Sequence, residues 1–186
     1  MSEATPVRRS GGTQRQWSAI WYRVRQVFQG LWPWLSADET AEAARWLSPE
    51  ALRLWQGQSV RDRRHSLRVL RTLQAWGYTH PALMQAALLH DVGKSLARLH
   101  LWHRVVWVLV NALIPTWQTK LAQPQGWRYS FWVLANHPEL GASLAARAGC
   151  DPDVVWLIAH HQAREVSARG PRGEWLACLQ AADTLN

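Results

Sequence analysis

Residues 81–94 read Pro-Ala-Leu-Met-Gln-Ala-Ala-Leu-Leu-His-Asp-Val-Gly-Lys, and this stretch decides the fold class. A proline at the first helical position, an apolar run interrupted only by Gln85 and a glycine stop describe a helix from Pro81 to His90 that is built for burial. Outward in both directions the same punctuation recurs. Apolar residues at three- and four-residue spacing alternate with Ser or Asp caps and Gly or Pro stops, and no run alternates with period two. The chain is therefore expected to be all-α.

On the N-terminal side, Ser59 and Asp62 open a helix running to Trp76, with Gly77 as its stop. Ser48 with Pro49 opens a short helix to about Gln56, and Ser36 with Glu39 forms a capping box for Ala37 to Leu47. Further back, Trp17, Ile20, Trp21, Val24, Val27, Phe28 and Leu31 make one stripe of an amphipathic helix ended by Gly30 and Pro33. On the C-terminal side, Leu101 to Ile114 is an apolar helix stopped by Pro115, and the Pro124–Gly126 region is a loop. Helices are then expected at Trp127 to Asn136, Pro138 to Ala148, Pro152 to Ala163 and Glu174 to Leu185.

The 186 residues suit one domain with a short appendage, able to bury about 70% of the surface of the unfolded chain. With only two cysteines, Cys150 and Cys178, neither a disulfide framework nor a Cys-x-x-Cys site is present, so a reducing compartment is the default. The first residues carry an acid and then Arg8, Arg9 and a Ser-Gly-Gly break, unlike a secretory signal, and the expected location is cytoplasmic. The net charge of +8 is an arginine charge, because Lys94 and Lys120 are the only lysines. That favours anionic partners or solubility alike.

Five places carry side chains that ligate metals: His65, His90-Asp91, His137, His160-His161 and Asp183. Each follows or interrupts a turn otherwise built for burial, and unpartnered buried imidazoles and carboxylates cost several kcal/mol. A dinuclear metal centre compensates them together, since two divalent cations neutralise the carboxylates and coordinate the imidazoles in one pocket.

The order H…HD…H…HH…D, centred on His90-Asp91-Val92-Gly93-Lys94, resembles the HD-domain metal-dependent phosphohydrolase superfamily, and within it the HDIG-type branch related to the HD-GYP phosphodiesterases. The likeness covers residues 59–186 and includes Asn136-His137-Pro138-Glu139-Leu140-Gly141, Ala159-His160-His161-Gln162 and Ala182-Asp183. With a composition boundary near residues 48–58, the expected organisation is an HD-type helical bundle over 48–186 preceded by a basic, Trp-rich helical extension over 1–47. The likeness implies that His65, His90, Asp91 and Asp183 hold one metal and Asp91, His137, His160 and His161 the other, with Asp91 bridging. A hydroxide between the metals would attack phosphorus, and Lys94 would face the phosphate or the nucleophile. Imidazole-rich ligation favours Fe, Mn or Zn, while Mg and Co would also suit.

Three positions depart from that pattern. Gln162 stands where the cyclic dinucleotide branch has a glutamate, residues 168–173 lack its G-Y-P turn, and Arg61 stands where members with a third metal have a glutamate. The expected substrate is accordingly a phosphomonoester or phosphodiester of a nucleotide, with no preference for cyclic dinucleotides. Arg61, His65 and Arg68 share one helical face, which suits either a phosphate grip or a solvated basic surface.

The apolar helix at 101–114 contains Arg104 and Asn111 and is too short to span a bilayer. With the helix at 17–31 it suits packing on the core, a membrane surface or a contact between subunits. A catalytically degenerate domain that binds a nucleotide, a protein or a membrane is the alternative to an enzyme. No motif for sequence-specific nucleic-acid recognition is present.

Overall fold

The computed structural model describes residues 35–163 and 170–186, and the expected helix at 17–31 lies outside them. The described residues contain nine α-helices and no strand. These are α1 (Ala37–Ala44), α2 (Pro49–Gln56), α3 (Val60–Ala75), α4 (Pro81–Leu89), α5 (Leu101–Leu113), α6 (Gln118–Leu121), α7 (Tyr129–Arg147), α8 (Pro152–His160) and α9 (Pro171–Leu185). A 3-10 turn at Val92–Leu96 follows α4.

Local chemistry accounts for the boundaries. Ser36 and Glu39 form the reciprocal capping box of α1. Ser48 and Ser59 accept the amides of Ala51 and Asp62 and start α2 and α3. Gly77 takes φ +87° after α3, a conformation that would strain a side chain. α1 ends at Ala44, three residues before the expected stop, and Ala43 and Leu47 both enter the core.

α4 forms the centre of the bundle. Ala82, Leu83, Met84, Ala86, Ala87, Leu88 and Leu89 are all buried, and past the exposed Pro81 only Gln85 is partly open to solvent. It packs between α3 and α8, α9 lies across α3, α4 and α8, and α7 packs against α8 and the Val92–Leu96 turn. Burying each of the leucines removes about 1.5–3 kcal/mol of exposure cost. Trp55 fills the space between α2 and α3 with its indole N–H bonded to Ser66 Oγ at 2.9 Å, so its polar atom is satisfied.

Two expected boundaries are corrected. Trp127–Asn136 and Pro138–Ala148 are one helix, α7, with Pro138 in its interior. A proline there removes one backbone hydrogen bond without ending the helix, because Phe131, Val133, Ala142 and Ala145 are buried on either side of it and hold both halves in the core. α9 begins at Pro171 instead of Glu174, since Pro171 occupies its first turn, where no amide is needed.

Candidate metal centre

Five helices deliver the side chains that the sequence singles out. His65 lies within α3, His90 caps α4 with Asp91 following it, His137 lies within α7, His161 caps α8, and Asp183 is near the end of α9. His90, Asp91, His137 and His161 are buried. Two groups have ligating atoms mutually within 4.8 Å: His65, His90 and Asp91, and Asp91, His137 and His161.

The backbone aims the imidazoles. Nδ1 of His90, His137 and His161 lies 2.9, 2.8 and 2.7 Å from the carbonyl oxygens of Ala87, Leu134 and Ile158. A carbonyl only accepts, so each Nδ1 carries the proton and, in a neutral ring, Nε2 presents a lone pair. The carbonyls are free for the purpose. Ala87 and Ile158 are in the last turns of their helices, where carbonyls have no intrahelical amide, and Leu134 is four residues before Pro138, which has none to give.

Nε2 of His90, His137 and His161 is buried without a hydrogen-bond partner. All three face Asp91 or its neighbour Asp183. His137 and His161 approach Asp91 Oδ1 at 3.3 and 3.8 Å, whereas His90 is 3.6 Å from Oδ2 and 3.5 Å from Asp183 Oδ1. The two oxygens of Asp91 therefore address different imidazoles. His65 Nε2 meets Asp183 Oδ1 directly at 2.7 Å. Ligands bound to one cation at about 2.1 Å stand roughly 3.0–3.5 Å apart, so these spacings and the orphaned Nε2 atoms fit divalent metal.

Electrostatics points the same way. Burial acts against charge on His90, but Asp91 and Asp183 outweigh it and raise its pKa to about 9. Positive charge is favoured where the carboxylates converge. His161 goes the other way: burial, then the neighbouring His90, push it down to about 3. Burial opposes ionisation of Asp91 and Asp183, yet Lys94 and His90 hold Asp91, and His65 and His90 hold Asp183, well below the usual carboxylate range.

Lys94 reaches back from the turn and donates to Asp91 Oδ2 at 2.6 Å. His160 lies in neither group: its Nδ1 is 2.8 Å from the Trp156 carbonyl and its ring stacks on Trp156. Arg61 stands at the surface beside Arg104 and Asp62, and partial burial, then Arg104, lower its pKa against the pull of Asp62. Arg68 turns to the end of α9, donating to the Asn186 carbonyl at 3.3 Å.

A cleft of about 360 Å³ opens on the far side of Lys94, lined among others by Gln58, Ser59, Arg98, His100 and Arg104. Sequence reading passed over Gln58 and Arg98. Gln58 is buried, donates to the Leu88 carbonyl at 3.2 Å and leaves its Oε1 without a partner. Arg104 contacts both oxygens of Asp62 at 2.9 Å, fixing the start of α5 at the cleft. No periodic signal marks Gln58, which follows the Gly57 stop. The pairing of Arg104 with a carboxylate 42 positions away has no local signature.

A family model described as HD domain matches residues 63–185, about two thirds of the chain. No curated protein and no solved structure matches it.

Proposed function

The chain belongs to the HD domain family, and from that membership we propose that it is a metal-dependent phosphohydrolase acting on a phosphorylated small molecule of nucleotide size. The observation that carries this reading is the set of three buried imidazole Nε2 atoms, of His90, His137 and His161, turned by backbone carbonyls toward Asp91 and left without partners. Bound divalent metals supply Lewis-acid polarisation of a phosphoryl oxygen and lower the pKa of a coordinated water.

His65, His90, Asp91 and Asp183 suit one cation, and Asp91, His137 and His161 the other, with the adjacent His160 as the further imidazole of that set. Asp91 is the bridging candidate because its Oδ1 and Oδ2 face different imidazoles. Lys94 stands between this cluster and the cleft, where its charge orients a phosphoryl oxygen. The rest of the substrate occupies the cleft. Gln58, Ser59 and His100 give that cleft polar side chains, which suit a nucleoside better than a plain alkyl ester. Fe, Mn or Zn match the imidazole-rich donors. The placement beside the HDIG-type branch without a G-Y-P turn rests on the sequence pattern alone.

The test is an activity screen of Mn- or Fe-reconstituted protein across mononucleotides, dinucleoside polyphosphates, cyclic dinucleotides and generic phosphoesters, with Asp91→Ala as control. Metal-dependent phosphate release that Asp91→Ala abolishes supports the reading. Metal binding without turnover on any of them would leave a binding module, and failure to bind metal would remove the premise.

A further inference from the structure

α5 is amphipathic in the reverse sense for a helix on a water-soluble domain. Its polar side chains point inward: His103 is buried beside Phe131, and Arg104 pairs with the buried Asp62. Its apolar ones point out. Leu101, Val105, Val108, Leu109 and Leu113 recur at helical spacing and are each about half exposed or more, Leu113 reaching 73%. Trp117 and Trp127 continue the surface at 55% and 68% exposure. Of the exposed large apolar side chains among the described residues, all but Trp76, Leu96 and Leu185 lie between Leu101 and Trp127. A patch of this kind marks a docking surface.

Its charge selects the partner. No Asp or Glu occurs from Val92 to Pro138. Arg98, Lys120 and Arg128 are exposed in that span, and among the described residues none of them takes part in an ion pair. Lys120 Nζ lies over the Trp117 ring at 5.6 Å, and Arg128 donates to the Lys120 carbonyl. A second copy would bring the same cations to the contact. The chain's residues 1–34, with five arginines and one acid, would also bring like charge. Tryptophan with Arg and Lys beside an apolar stripe fits the interface of a bilayer with anionic headgroups. No helix of the described residues is long and apolar enough to cross a membrane.

We infer that the outer face of α5, with Trp117 and Trp127, docks the domain on the surface of an anionic lipid bilayer. The inference stands apart from the hydrolytic reading, since none of the stripe's residues is among those that line the cleft. In-plane insertion of Leu101, Val105, Val108, Leu109 and Leu113 buries the stripe, and Lys120 and Arg128 meet the headgroups.

The experiment is co-sedimentation of the full chain with phosphatidylglycerol vesicles and with phosphatidylcholine vesicles, at low and high salt. Binding to the first at low salt, weakened at least tenfold on the second and by salt, is expected. Val108→Glu/Leu109→Glu should lose that binding at unchanged helicity by circular dichroism. Lys120→Glu/Arg128→Glu keeps the stripe and should lose the preference for phosphatidylglycerol. Absent binding, or binding that either double variant leaves unchanged, overturns the inference. So does light scattering that shows a dimer which Val108→Glu/Leu109→Glu turns into monomers while vesicles go unbound, because the occupant is then a second copy.

Discussion

The backbone of Gly93 lies so near that of His137 that a Cβ on Gly93 would stand 2.2 Å from the His137 carbonyl oxygen and 2.8 Å from the Gly141 amide nitrogen. This approach seats the turn after Asp91 against α7 and brings the Asp91 carboxylate to 3.3 Å from His137. Gly141 reciprocates, since a Cβ there would lie 3.1 Å from Gly93 N.

Gly93→Ala is therefore expected to cost more than about 3 kcal/mol, above the usual range for overpacking, because the obstacle is backbone and cannot rotate away. Urea unfolding of the metal-free variant checks the cost. A loss under about 1 kcal/mol would mean that the turn and α7 separate easily. Metal affinity should fall with stability, since the two sides of the cluster are carried on the parts that separate.

Much of this arrangement can be read from the sequence, for physical reasons. The caps at Ser36, Ser48 and Ser59 are local and appear where expected. The His and Asp residues stand out because each follows or interrupts an apolar turn. Gly93 reads as a helix stop, whereas its stronger constraint comes from α7, more than 40 positions away, and no local pattern carries that. Pro138 misleads in the opposite direction: the local rule splits the helix, and burial on both sides of the proline overrides it.

Asp91→Ala and Lys94→Ala should part company. Removing Asp91 takes a carboxylate from both ligand groups, so metal content should fall below that of His137→Ala and turnover should vanish. Removing Lys94 leaves every ligand in place, so metal should be retained while kcat falls by about two to three orders of magnitude. Elemental analysis beside steady-state kinetics separates the two. Wild-type metal content in Asp91→Ala, or loss of metal in Lys94→Ala, contradicts these roles.

Metal-free protein should be most stable near pH 6.5. An unfolded histidine titrates at about 6.5. His161 is lowered to about 3 in the fold, so the unfolded chain takes up the proton first, and stability falls as pH drops from about 6.5 toward 3. His90 is raised to about 9, so its contribution is complete below 6.5 and is lost as pH rises through 9. Each group contributes a slope of at most about 1.4 kcal/mol per pH unit. Melting of chelator-treated protein at pH 5, 6.5 and 8 should peak at the middle value, and a monotonic profile would contradict it.

Pro138→Ala should separate stability from metal binding. Proline in a helix interior costs about 3 kcal/mol relative to alanine, so the variant should melt higher than the parent. The new amide at 138 points to the Leu134 carbonyl, which His137 Nδ1 now has to itself at 2.8 Å. Sharing that carbonyl loosens the ring that holds Nε2 toward Asp91, and loss of such a supporting contact weakens metal binding by about ten- to a hundredfold. Competition with a chelator measures the affinity, and thermal unfolding without metal measures the stability. A higher melting temperature with unchanged affinity would mean that the carbonyl serves both donors and that Pro138 does not orient His137.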